Sequence, residues 1–360
     1  MDKLIEQHKI LICVGSGGVG KTTFSASLAL RSAQKGYKTL VLTIDPSKRL
    51  ATSLGLSLDK PEVVEVPKTG GKLFASTLHS EKIFEEFIKS VSKNPLKAQK
   101  LLNNRLYRLM ATSLSGSQEF TSMEMLMSII AKREFDKVIL DTPPAQHAKD
   151  FLQAPENFSN LFQESVIKWF IRSYDNMGLV KKIFKKSTHL ALKVLQRLTG
   201  SEFMEELSDF FEGLSDIREA LLEESQKVMC LLREPTTGFV LVTGFDASKL
   251  WDALSFSSQI KKQGFGLRYV ILNRAFPQWK NGELKLEDFG GEKWLFDLYV
   301  RFDRFYQKRK EVYLDFVKKV DVPYILVPEM NKDIYGLEDL KKIWDKVQTL
   351  IDKGEGAENA

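Results

Sequence analysis

The stretch Ile10-Leu11-Ile12-Cys13-Val14-Gly15-Ser16-Gly17-Gly18-Val19-Gly20-Lys21-Thr22-Thr23 decides how this chain folds. Five apolar residues without a polar break read as a strand buried on both faces. Gly15 to Thr22 then fits G-x-x-x-x-G-K-[ST], and the residues from Lys21 to about Lys35 read as a helix that stops at Gly36. Glycines let successive backbone N–H groups turn inward around phosphate oxygens, forming a concave nest that side chains would block. The helix behind the loop presents its N-terminus to the same negative charge. Lys21 is placed to reach the β- and γ-phosphates of a nucleotide, Thr22 to offer a hydroxyl to Mg²⁺, and Thr23 to donate to the α-phosphate.

Further apolar runs repeat the strand signal outward from this segment: 39–44, 73–77, 138–140, 239–243, 269–272 and 324–327. Helical stretches separate them, and such alternation predicts an α/β fold, a doubly wound, mostly parallel sheet with helices on both faces. Between Ser80 and Arg233 a single strand interrupts a long helix-like run, so a helical subdomain inserted into the core is expected. The expected boundaries are 1–79 for the first part of the core, 80–136 for a helical segment and 137–153 for a core strand with its following loop. They continue with 154–235 for the helical subdomain, 236–352 for the second part of the core, and 353–360 for a disordered tail. Met1 to His8 is charged, lacks the features of a signal peptide and reads as leading straight into the first strand. No apolar run reaches the ~18–20 residues that a membrane span requires, which predicts a cytoplasmic protein.

The 360 residues carry a formal net charge of +6 from 53 basic and 47 acidic side chains, largely interleaved, so no nucleic-acid partner is expected. The two cysteines, Cys13 and Cys230, and the four histidines, His8, His79, His147 and His189, show no metal-ligand spacing. A buried thiol is the expectation for Cys13.

Two acidic residues end apolar strands. Asp141 follows Lys137-Val138-Ile139-Leu140, the pattern that holds Mg²⁺ or its waters. Asp45 follows the second strand at the same carboxyl edge, where ligands of such sheets bind. Its carboxylate suits either orientation of an attacking water or an N-cap for Ser47-Lys48-Arg49-Leu50.

With Gly17-Gly18-Val19-Gly20-Lys21-Thr22, Asp45-Pro46 and Asp141-Thr142-Pro143-Pro144-Ala145-Gln146-His147 in place, the chain resembles the arsenite-pump and tail-anchored-protein-targeting ATPases, relatives of the MinD/ParA proteins. Gly116-Ser117-Gln118-Glu119, Asn273-Arg274, Pro328-Glu329, Gly336-Leu337 and the run Thr43 to Leu50 extend the resemblance over nearly the whole length. It implies an ATP hydrolase in which Asp45, with Lys21, is catalytic and orients the hydrolytic water. Thr22 and Asp141 would serve the magnesium shell, Asn273 would read adenine, and Pro328-Glu329 would pack beside the base. Asn331-Lys332-Asp333 misses the guanine-reading spacing, so ATP is expected over GTP.

Departures from the family are equally legible. Ser16 stands where the family usually carries a lysine that reaches across a dimer. Three consequences are open: a slow homodimer, a heterodimer with a paralogous ATPase, or rescue by Lys48 or Arg49. The family's CxxC pair is missing, so no zinc clamp is expected, and neither cysteine has another nearby in sequence, which argues against metalloid activation.

The resemblance also implies hydrophobic helices of membrane proteins, and a membrane receptor, as partners. Phe158, Trp169, Phe170, Met177, Phe203, Met204 and Phe211 are candidates for lining a groove, with packing of the subdomain's own core as the plainer reading. Lys181, Lys182, Lys185, Lys186, Lys193 and Arg197 form a basic concentration suited to a solvated face or to peripheral contact with an anionic membrane. A MinD-like positioning ATPase and a slow nucleotide-dependent scaffold are the alternatives. Against the first, the amphipathic run Leu337 to Trp344 is better explained by docking on the sheet.

Overall fold

The structure is a computed structural model that describes residues 2–44, 49–56, 63–77, 80–92, 94–108, 127, 129–130, 133–142, 201–275, 284–330 and 334–343. It divides into two compact units, the first made of 1–78, 133–149 and 232–360, the second of 79–132 and 150–231.

The first unit is built on an eight-stranded sheet. Its strands are β1 (Ile10–Val14), β2 (Thr39–Thr43), β3 (Val64–Glu65), β4 (Leu73–Thr77), β5 (Lys137–Asp141), β6 (Thr237–Gly244), β7 (Leu267–Ala275) and β8 (Tyr324–Pro328), in the order β3-β4-β2-β5-β1-β6-β7-β8. All pairings are parallel except that of β3, a two-residue edge strand antiparallel to β4. β1, β2, β5 and β6 are buried along their whole length, as strands covered on both faces must be. The expected mostly parallel α/β sheet is therefore what forms, and β3 is an addition to it.

One expectation is corrected. Residues 2–8 do not lead straight into β1; Asp2–Gln7 form a short helix, α1. Leu4 and Ile5 are buried in the main core, and Asp2 pairs with Arg31 and Lys35. The helix ends where Lys137 Nζ donates to the carbonyls of Glu6 (3.0 Å) and His8 (2.8 Å). Six residues have little intrinsic helicity, so these tertiary contacts hold the helix and local sequence gives no signal for it.

Helix α2 (Lys21–Gln34) follows the glycine-rich loop, and Ser25, Ala26, Leu28, Ala29 and Leu30 sink into the core against the sheet. α3 (Arg49–Leu54) lies after β2 and buries Leu50 and Leu54 in the same core. Residues 336–343 are helical and dock as expected: Leu340 and Ile343 are core residues, and Ser27 Oγ donates to the Leu340 carbonyl at 3.2 Å.

The described part of the second unit is helical: α4 (Ser80–Val91), α5 (Pro95–Asn103) and most of α6 (Ser201–Arg233). Asn94 caps α5 by accepting from the N–H groups of Leu96 and Lys97, with Pro95 in the first turn. Phe87, Ile88, Leu101, Phe210, Leu214 and Ile217 form its small core. Phe211 packs against that core with its ring 5.4 Å from Phe210, and Phe203 is half-buried. The other groove candidates, and all the residues of the basic concentration, lie outside the described side chains.

Candidate nucleotide site

The sheet's register brings the site together. Parallel pairing sets Asp141 beside both Cys13 on β1 and Thr43 on β2, so the start of the glycine-rich loop and the end of β5 share one carboxyl edge. Strands from the two halves of the chain run outward in opposite directions from this region, which is where such sheets open a ligand crevice.

Backbone geometry explains the loop's composition. Gly20 sits at φ 94°, a left-handed conformation, and a Cβ there would lie 2.6 Å from Asn273 Nδ2. Gly15 passes so close to β6 that a Cβ would overlap the Val242 carbonyl. Lys21 is buried, and its ammonium donates to the Ser16 carbonyl across the loop at 2.8 Å. Gly17 is exposed, and Val19 is buried with its carbonyl turned to Asn273.

Asp141 is fully buried and accepts hydrogen bonds from Thr22 (2.8 Å), Thr43 (3.1 Å) and Ser25 (3.2 Å). Burial raises its pKa to about 6, and the hydroxyls of Thr22, Thr43 and Ser25 together with the charge of Lys21 hold the rise back. Thr22 Oγ1 and the Asp141 carboxylate form a compact set of hard oxygen donors at the foot of α2, and such donors fit Mg²⁺. Burial acts on Cys13 in the same direction, pushing its thiol up to about 12, which leaves it an inert packing group. No cluster of three metal-ligating His, Cys, Asp or Glu side chains occurs among the described residues.

Two clefts of about 500 and about 440 Å³ open at this edge. Gly18, Gly20, Thr23, Arg49, Ile334 and Tyr335 line both. One continues to Asn273, Arg274, Glu329 and Met330, the other to Lys21, Thr22, Thr52 and Ser53. Pro328, paired with Ala275 at the end of β8, stands behind Glu329 and outside the lining.

Asn273 is held within the chain by both ends of its amide: Nδ2 donates to the Val19 carbonyl at 2.8 Å, and Oδ1 accepts from the Arg274 N–H. It thus latches β7 to the phosphate loop as well as lining the cleft. Ser16 is buried, and its hydroxyl donates at 3.3 Å to Asp252, an exposed carboxylate on α7 (Ala247–Lys262). Asp45, Lys48 and residues 143–147 lie outside the described residues, as do Gly116-Ser117-Gln118-Glu119 and Asn331-Lys332-Asp333.

Sequence reasoning missed Tyr335, an exposed aromatic on a connection without a motif, and named Arg49 only as one of two substitute cations. An exposed aromatic beside the Gly336 turn was the available signal.

Comparison with known proteins agrees with this geometry. Residues 8–349 match the anion-transporting ATPase family. The chain is similar to "ATPase GET3B" of Arabidopsis thaliana, 27% identical over 289 residues, with 75% of this chain and 65% of that protein covered. It is also similar to "Putative arsenical pump-driving ATPase 1" of Aquifex aeolicus (strain VF5), 26% identical over 352 residues, covering 93% and 77%. "ATPase ASNA1 homolog 2" of Paramecium tetraurelia matches at 22% identity over 338 residues, covering 91% of this chain and 90% of that protein. A phosphate loop on a parallel sheet and a match over nearly the whole chain lead to one statement: this protein belongs to the anion-transporting ATPase family and is an ATP hydrolase.

Proposed function

We propose that this chain is a Mg²⁺-dependent ATPase whose hydrolysis drives rearrangement of a dimer and the handling of hydrophobic membrane-protein segments. The observation that carries the first part is the contact of Thr22 with the buried Asp141 carboxylate at the mouth of the phosphate loop. Lys21 leaves the Ser16 carbonyl to neutralise the β- and γ-phosphates, and the N–H groups of residues 17–22 cradle their oxygens. Thr22 and Asp141 would hold Mg²⁺, which would supply charge neutralisation on the phosphates when bound. Thr23 donates to the α-phosphate, while Asn273 and Glu329 bound the adenine end, with Pro328 behind them. Asp45 orients and polarises the attacking water.

Turnover tests this directly. Wild type is expected to hydrolyse ATP in a Mg²⁺-dependent manner, and Lys21→Ala and Asp45→Asn to lose roughly a hundredfold or more, the usual scale for electrostatic and positioning groups. Equal rates for wild type and Asp45→Asn remove the catalytic assignment. Client handling is read by holding Asp45→Asn in Mg·ATP and identifying captured proteins; recovery of single-span membrane proteins supports it, and their absence ends it.

Ser16 favours a second reading, a slow scaffold that pairs with a lysine-bearing paralogue, because a serine hydroxyl, here bonded to Asp252, offers no cation to a partner's nucleotide. A MinD-like reading loses support, since Leu340 and Ile343 are spent in the core and do not offer an apolar face to lipid. Among the described residues no helix is long and apolar enough to cross a membrane.

A further inference from the structure

Phosphoryl transfer depends mainly on positive charge held where negative charge develops, so the cations at this edge decide what the site can do. Among the described residues three line the clefts, and they divide the edge between them: Lys21 lines only the second cleft, Arg274 only the first, and Arg49 both. Lys21 is buried and belongs to the loop itself, with its ammonium on the Ser16 carbonyl. Arg274 stands at the far end with Asn273, Glu329 and Met330. Arg49 comes from α3, which Leu50 and Leu54 fix in the core, so the arginine has a rigid base and an exposed side chain. It makes no hydrogen bond or ion pair among the described residues. The second cleft presents Lys21, Thr22, Thr23, Arg49, Thr52 and Ser53, with no carboxylate among its described lining. A wall of donors and cations suits phosphate oxygens.

We propose that Arg49 is a catalytic residue of the ATPase, a cation supplied within the chain that pairs with the γ-phosphoryl oxygens as they transfer. The oxygen of water bonds to the γ-phosphorus while the bond from phosphorus to the β–γ bridging oxygen breaks. The electron pair of that bond stays on ADP, and ADP, inorganic phosphate and the proton released from water are the products. Arg49 keeps its own proton throughout and neutralises the charge that develops on the moving group. A guanidinium suits this task because it is planar, permanently charged and able to meet two oxygens at once. Ser16, beside the glycines of the loop, adds only a hydroxyl bonded to Asp252 and no charge. Among the described residues Arg49 is thus the cation that joins Lys21 in the second cleft. This inference rests on the Mg²⁺-dependent ATPase reading and adds to it a residue that sets the rate of the chemical step.

Steady-state turnover of the full chain, with calorimetry of Mg·ADP in the presence and absence of aluminium fluoride, tests it. Aluminium fluoride completes a mimic of the transferring phosphoryl group, and transition-state mimics bind more tightly than ground-state ligands. Wild type is expected to bind Mg·ADP more tightly when the fluoride complex is present. Arg49→Ala is expected to lose roughly a thousandfold in kcat, the lower end of what such an arginine supplies, and to lose the gain from aluminium fluoride. Its affinity for Mg·ADP alone stays that of wild type, which also reports an intact fold. Arg49→Lys keeps the charge without the fork and recovers part of kcat. A wild-type kcat in Arg49→Ala overturns the proposal. So does a loss confined to KM with the aluminium fluoride gain intact, or an equal loss of Mg·ADP affinity. A wild type without Mg²⁺-dependent turnover overturns the ATPase reading and this assignment with it, whereas turnover untouched by Arg49→Ala overturns this assignment alone.

Discussion

Replacing Gly20 by alanine measures how tightly the glycine-rich loop is bound to Asn273 on β7. Gly20 stands at φ 94°, and an L-residue in the left-handed region costs roughly 1–2 kcal/mol. The new Cβ would also fall 2.6 Å from Asn273 Nδ2, so that amide must release the Val19 carbonyl. Loss of such a hydrogen bond is worth about 0.5–1.5 kcal/mol, and the two effects together reach roughly 2–3 kcal/mol. Gly18→Ala is the internal control: its φ is 75°, but no atom lies within 4 Å of its Cβ position, so it carries only the conformational cost. Denaturant midpoints of both variants, followed by far-UV circular dichroism, should place Gly20→Ala about 1 kcal/mol below Gly18→Ala. Adding Asn273→Ala should then destabilise Gly20→Ala less than it destabilises wild type, because the latch is already broken. If Gly18→Ala proved as damaging as Gly20→Ala, the latch between Asn273 and the loop would be refuted.

Three further outcomes follow from the same structure. His8 is buried with Nδ1 2.8 Å from the Leu4 carbonyl, and burial, then the charges of Arg268 and Lys137, lower its pKa. The unfolded chain therefore binds the extra proton first, and stability should fall as pH drops through the unfolded value near 6.5, by at most about 1.4 kcal/mol per pH unit from this group. Urea midpoints at neutral and mildly acidic pH should show a smaller drop for His8→Gln, and an equal drop would exclude His8 as the source. Arg49 and Tyr335 lie where the two clefts meet, so calorimetry should find that Arg49→Ala weakens ATP roughly tenfold while sparing adenosine. Tyr335→Ala should weaken both, and Tyr335→Phe neither. Ser16→Lys would set an ammonium near Asp252, so ATP-dependent association should change little until Asp252→Asn is added; a large change in Ser16→Lys alone contradicts capture of the ammonium by Asp252.

The family signals were all local. An unbroken apolar pentad, a glycine run, then Lys21-Thr22 on a helix leave little freedom, because each residue type is set by its immediate neighbours and by phosphate chemistry. The remaining parallel strands were legible for the same reason, being apolar on both faces. Local pattern failed at Asp2–Gln7, whose helix depends on Leu4 and Ile5 reaching the core and on Lys137 closing its last carbonyls from more than a hundred residues away. It missed β3 as well, a two-residue strand defined by its partner β4.

The glycine-rich loop, with the strand before it and the helix after it, was thus legible in the sequence itself, since composition and spacing suffice to specify such a segment. Tertiary structure alone decided that Thr22, Ser25 and Thr43 converge on one buried carboxylate. It alone decided that Asn273 holds the loop while lining the cleft, and that Ser16 turns toward Asp252. It alone put Arg49 and Tyr335 in the walls of the same two clefts. Those facts come from the register of a sheet that joins distant segments, and periodicity along the chain carries no record of which segments will become neighbours.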